Sequence, residues 1–443
     1  MFRTLINAWK VKDIRSKILF TVLLFVIYRL GAFIPVPGVD VSYIAEQVDK
    51  MEILGFLNLF SGGSFSSFSV FAMGISPYIT GSIIIQLLTI AIPALEKLSK
   101  EEDGRKKIEK ITRYTGIVLA LVQSIGIVAS LGAEAVESLA WWNYARIGII
   151  CTAGTAILLW MGERITEKGI GNGVSMIIFA SIVSQVPSVV LDIVKGVAAT
   201  TYYWWIIPVV IIVVLVLVAG IVAVEKAQRK IPVQYAKKVV GRKQYGGQST
   251  FLPIKANSNG VMPLIFAITI MQMPAMIGQL INGGTNAFYK WWMMWCSASA
   301  VNTTDHVVLN TAPNEVFVPG VAIYYVVYAL LILGFAYFYT MITFNPYEIA
   351  KNMQENGGFI PGIRPGKPTC TYLTRISNRL TLFGAIFLML VATIPAVVLK
   401  LYEITVLSAF GATSILIMVS VALETSNQLE SLMLMRHYKG FLN

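Results

Sequence analysis

Apolar residues along this chain fall into ten blocks of about 20, separated by loops that hold nearly all of its charge. The blocks are Ile18–Ile34, Gly74–Leu95, Thr115–Leu131, Asn143–Met161, Val174–Ile193, Trp204–Val224, Val261–Leu280, Val321–Ile342, Leu380–Leu399 and Ile404–Leu423. A helix rises about 1.5 Å per residue and the hydrocarbon core is about 30 Å thick, so about 20 apolar residues make one crossing. The pattern predicts an all-α polytopic membrane protein with ten transmembrane helices. Composition agrees, with 56% hydrophobic residues and a mean hydropathy of +0.70. The first block runs into Gly31 and the turn Pro35-Val36-Pro37-Gly38 without a small-residue cleavage site. It is therefore expected to be a retained span rather than a removed signal peptide.

Ten crossings place both termini on one side. On that side lie 29 of the 35 Lys and Arg residues, in the N-terminal segment, the loops at 96–113, 162–173, 225–260 and 343–379, and the tail. By the positive-inside rule both termini are expected in the cytoplasm. The net charge of +12 is thus a signal of topology first.

The chemistry of the blocks excludes several functions. Ion-coupled transporters keep ionisable groups near the midplane, and the middles of these blocks carry essentially none. His306 and His437 lie in an outer loop and in the tail, and Cys151, Cys296 and Cys370 share no compartment. No catalytic set, metal site, disulfide or cofactor is expected. Gly169-Ile170-Gly171-Asn172-Gly173 has no preceding strand and abuts a span, so a tight turn is the better reading than a phosphate loop.

Some features stand out. The segment from Leu57 to Ser69 is too short and polar to span, and fits a re-entrant or capping element. Irregular backbone at membrane depth needs protein or a water-filled cavity around it. Ile75 and Ile79, and Ile178 and Ile182, are four apart and share helix faces. Such pairs pack against lipid or neighbours, or form an apolar constriction. The prolines and glycines from Gly357 to Pro368 shape a turn around Arg364, suited to docking a partner. The outer loop Gly283–Gly320 is long and holds Trp291-Trp292-Met293-Met294-Trp295, expected to act as an interface anchor. From these residues alone, a channel and a small-solute transporter remain equally open.

Longer motifs add a resemblance. Leu59-Phe60-Ser61-Gly62-Gly63, the run from Pro77 to Leu88, Glu167 to Gly173, Ala227 to Ala236, Gly247-Gln248-Ser249-Thr250, Asn345-Pro346 and Phe359 to Gly366 resemble the bacterial SecY family over nearly the whole chain. The resemblance implies a non-enzymatic, protein-conducting channel of the bacterial plasma membrane. It would pass secretory polypeptides across and release membrane proteins sideways. It implies two inverted five-helix halves, residues 1–200 and 201–443. An apolar ring would comprise Ile75, Ile79, Ile178, Ile182, Ile265 and Ile417. A plug near residues 57–70 would include Leu59, Phe60, Ser61, Gly62, Gly63 and Phe65. A lateral gate, between the second and third spans and the seventh and eighth, would use Gln86, Gln123 and Asn257 as polar contacts. Arg364, Lys237, Arg242 and Lys243 would dock a motor ATPase or the ribosome. The implied partners are the small membrane subunits SecE and SecG, the motor SecA, the ribosome, substrates bearing signal sequences, and the lipid bilayer.

Overall fold

The computed structural model describes residues 9–50, 52–130, 135–136, 140–198, 205–235, 238–240, 243–245, 249–257, 260–280, 287–295, 319–401 and 411–439. The first part of the chain forms α1 (Lys12–Gly31), α2 (Val41–Lys50), α3 (Glu52–Phe60), α4 (Ser76–Ala91), α5 (Pro93–Lys100), α6 (Glu102–Ser130), α7 (Trp141–Lys168) and α8 (Gly173–Ala198). It continues with α9 (Ile206–Lys226), β1 (Gln228–Tyr235), β2 (Lys238–Val240), β3 (Lys243–Tyr245), β4 (Ser249–Lys255), α10 (Met262–Leu280) and α11 (Ala287–Trp295). It ends with α12 (Pro319–Thr343), α13 (Pro346–Glu355), β5 (Gly358–Phe359), α14 (Lys367–Leu401) and α15 (Ala412–Lys439).

Each of the ten apolar blocks is overlapped mainly by one helix, α1, α4, α6, α7, α8, α9, α10, α12, α14 and α15 in turn, with α5 also reaching into the second block. Among the described residues, six helices are long and apolar enough to cross a membrane unaided, and α4 with α5 forms a further candidate bent by 106°. The block at Gly74–Leu95 therefore ends as a straight helix at Ala91, because Pro93 lacks the N–H that would continue the ladder. Other helices outrun their blocks. α6 begins at Glu102 and α14 at Lys367, both well before the apolar residues start. Hydropathy ends where charge begins, whereas helical hydrogen bonding continues until something breaks it. An Arg113–Glu163 ion pair ties the polar ends of α6 and α7 together.

The hydropathy pattern gave no sign of the small sheets. β1 pairs antiparallel with both β4 and β5, so the loops at 225–260 and 343–379 become one platform. Ile231 and Val233 alternate inward along β1, as the two-residue strand period requires, and pack with Ile254, Met353, Ile360, Leu373 and Ile376. The motif Asn345-Pro346 is a helix start. The Asn345 side chain accepts the Glu348 N–H (3.4 Å) and Pro346 occupies the first turn of α13, where its missing N–H costs nothing.

The glycine-rich turn between α7 and α8 is a junction. Its N–H groups are already engaged: Ile170 donates to Thr21 Oγ1 (3.3 Å), Gly171 to Gln428 Oε1 (2.6 Å) and Gly173 to Thr166 Oγ1 (2.9 Å). These bonds join α1, α7 and α15 through one turn and leave those donors nothing to offer a phosphate.

Candidate constriction, plug and gate

Four helices bring six isoleucines to one place. Ile75 and Ile79 stand at the start of α4, Ile178 and Ile182 on α8, Ile265 on α10 and Ile417 on α15. All belong to one apolar cluster, with Ile79 at its partly buried edge. The other five are 6% exposed or less, and Ile182 is fully buried. A wide aqueous opening would expose these side chains, so the cluster is shut. β-branching restricts χ1 and makes such a rim stiff.

The end of α3 and the turns that follow it sit against this cluster. Leu59 and Phe60 join the isoleucines, while Phe65 and Phe68 fill a second core with Ile44, Leu54 and Ile147. Gly62 and Gly63 have φ of +67° and +84°, a region glycine enters without steric cost. Ser61 Oγ accepts the Phe65 N–H (3.1 Å), and Asn58 Oδ1 accepts the Ser66 N–H (2.9 Å). The element is a compact cap rather than an extended loop. Gly154 of α7 accommodates it, since a Cβ there would lie 1.9 Å from the Val70 carbonyl oxygen. Gly154→Val is therefore expected to destabilise the protein by about 1–3 kcal/mol, visible as a lower thermal midpoint in detergent. An unchanged midpoint would show that the backbone yields freely there.

Between the proposed halves, the OH of Tyr339 on α12 donates to Gln86 Oε1 on α4 at 2.7 Å. Its ring packs edge-on against Phe266 at 5.0 Å, within a group that includes Ile83, Phe335 and Phe338. Gln123 is buried on α6, which packs against α10. Asn257 points elsewhere: its amide donates to Glu225 Oε1 (3.0 Å) and to the Gly260 carbonyl (3.1 Å), and Ser420 donates to the same carboxylate oxygen (3.0 Å). In this state the Glu225 carboxylate ties α9 to α15 through Ser420, and Asn257 bonds to that carboxylate and not to Gln86. Sequence reasoning missed Tyr339, one aromatic among many in an apolar block. It also missed Glu225, which beside Lys226 looks like an ordinary flanking charge. Tyr339→Phe removes only the hydroxyl. It is expected to weaken closure by about 0.6–2 kcal/mol, seen as faster lateral release of a signal-bearing segment into lipid.

Arg364 is exposed on the platform, in a turn set by Gly362 and Gly366 at φ of +83° and +93°. Thr369 Oγ1 donates to its carbonyl (2.9 Å), and Ile360 anchors the turn in the platform core. Lys243 begins β3. Lys237 and Arg242 lie outside the described residues, as do Cys296, His306, Ile404 and most of the outer loop Gly283–Gly320.

A family profile described as SecY matches residues 69–426. The chain is 42% identical to the protein translocase subunit SecY of Streptomyces galbus, over the full length of both. It is 43% identical to that of Thermus thermophilus, covering the whole of this chain and 98% of the relative. This chain belongs to the SecY family. SecY proteins are subunits of the protein translocase, a protein-conducting channel and not an enzyme, and this member is a plasma-membrane protein of that kind. The fold agrees with solved channels. One described as the structure of a protein conducting channel superposes with a TM-score of 0.65 at 20% identity, covering 94% of this chain and 92% of the other. Sec61 from a canine ribosome-channel complex superposes with a TM-score of 0.61 at 18% identity, with the same coverage.

Proposed function

We propose that this SecY chain closes its channel with the isoleucine ring and the capping segment, and opens it between the halves 1–200 and 201–443. The observation that carries this reading is the convergence of Ile75, Ile79, Ile178, Ile182, Ile265 and Ile417 from four helices, two in each half, with Leu59 and Phe60 seated against them. An apolar constriction repels water and ions when empty, and can refit around an extended polypeptide. Gln86 with Tyr339, and buried Gln123, hold the side exit. A signal sequence that binds the open state better shifts the population toward it.

The basic loops face the cytoplasm together with both termini. There the platform presents Arg364, with Lys237, Arg242 and Lys243 in the same loops, to a motor ATPase such as SecA or to the ribosome, as Sec61 meets its ribosome. Nucleotide hydrolysis belongs to the motor. SecE and SecG accompany the chain in the membrane. The aromatic helix α11, with Phe288 and Trp291 exposed, sits at the outer interface, where such rings favour the headgroup level.

A cross-link tests this axis. Ile79→Cys is made in a background lacking Cys151, Cys296 and Cys370, and a stalled precursor carrying one cysteine is supplied with motor and ATP. A disulfide that requires a functional signal sequence is expected. If a lipid-facing control such as Val216→Cys reacts equally well, the axis is misassigned.

A further inference from the structure

The capping segment is gripped by its main chain. The Tyr28 hydroxyl, on α1, donates to the Ser61 carbonyl oxygen at 2.8 Å and lies 2.8 Å from Ser181 Oγ on α8. The neighbouring Arg29 guanidinium donates to the Gly62 carbonyl at 2.9 Å, and Ser184 Oγ reaches the same oxygen at 3.3 Å. One turn along α8 from Ser181, the Gln185 amide donates to the Asn58 carbonyl at 2.9 Å. The carbonyls of Asn58, Ser61 and Gly62 are thus held from two helices.

We propose that Tyr28, Arg29 and Gln185 are positioning residues that latch the plug shut by reading its carbonyls, an inference that rests on the plug reading above. Several facts support the role. Tyr28 is only 2% exposed and stacks on Phe71 at 5.9 Å, so its hydroxyl is fixed in direction. Arg29 lies 4.8 Å from the Phe33 ring centroid, which aligns its planar fork through a cation–π contact. Gly62 is moulded to the donors: a Cβ there would stand 2.8 Å from Tyr28 Oη and 3.0 Å from both Ser181 Cα and Ser184 Oγ.

The latch has a physical logic. A segment that must leave whenever a substrate enters cannot be bound by apolar burial alone, because that attraction is non-directional and persists through partial displacement. Hydrogen bonds depend steeply on distance and angle. Once the plug tilts, these bonds fail together, and water in the outer cavity satisfies both donors and carbonyls. Holding carbonyls also makes the latch itself independent of the plug side chains, apart from the glycine at 62.

The test uses the full chain with its membrane partners in proteoliposomes, cysteine-free except for Ser64→Cys. Ser64 is fully buried in the cap, so an impermeant maleimide added to the outer side reports plug release. Tyr28→Phe with Gln185→Leu is expected to raise the labelling rate without substrate by about tenfold, as loss of two hydrogen bonds implies, and to raise resting ion leak alongside. Arg29→Leu should do the same and Arg29→Lys should largely restore protection, a rescue that simple loss of packing does not give. Deleting residues 57–67 is the reference. If deletion leaks but the double variant labels at the parent rate, the latch is refuted and the plug stands. If deletion itself causes no leak, the plug reading falls and takes the latch with it.

Discussion

Ile182→Asn is expected to leave the resting channel leaky to ions, with signal-defective precursors exported where the parent rejects them. The side chain is fully buried among apolar neighbours from α4, α10 and α15. An asparagine amide placed there has no water, and each unsatisfied polar group costs about 1–3 kcal/mol. In the open channel the same amide is hydrated and costs little. The substitution thus destabilises closure selectively and shifts the closed-to-open ratio by about 5- to 150-fold, since about 1.4 kcal/mol corresponds to a factor of ten. Single-channel recording in a planar bilayer without substrate measures this directly. A silent bilayer from correctly assembled protein would remove Ile182 from the constriction. Ile182→Val, which keeps an apolar rim, should leak far less.

Arg364→Glu is expected to cut motor-driven secretion by at least about tenfold while leaving folding intact. Arg364 is exposed, and the turn that presents it is anchored by Ile360 beneath and by the Thr369 hydroxyl on its carbonyl. Neither anchor involves the guanidinium, so reversal of charge changes the surface and not the turn. Close interfacial charge pairs couple with about 1.5–7 kcal/mol, and replacing one with a like charge adds repulsion to that loss. The measurement is binding of the motor to proteoliposomes alongside ATP-dependent precursor protection. Normal motor affinity with normal secretion would move the docking surface elsewhere on the platform. Arg364→Lys should lie between the two, because lysine keeps the charge but not the bidentate fork.

How much of this was readable in the chain depends on the range of the interactions. The isoleucine pairs on α4 and α8 were legible because a spacing of four places residues on one helix face. The span from Leu57 to Ser69 was legible because serines and glycines interrupt an apolar run. Tyr339 and Glu225 were not legible, since their partners Gln86 and Ser420 lie roughly 200 or more positions away. Arg29 reads in sequence as a basic residue near the outer end of the first block. Only the return of the chain at Gly62 gives it a carbonyl to hold.

The sequence by itself determined the membrane class, ten apolar blocks, the sidedness of charge and the family motifs, all set by hydropathy and local spacing. Tertiary structure alone decided that four helices pool their isoleucines into one closed cluster, that two basic loops share a sheet, and that Asn257 pairs with Glu225 rather than reaching Gln86. Transfer into lipid acts residue by residue and leaves a periodic trace along the chain. Packing between helices and hydrogen bonds to distant carbonyls leave none, because they depend on which elements meet after the spans are in place.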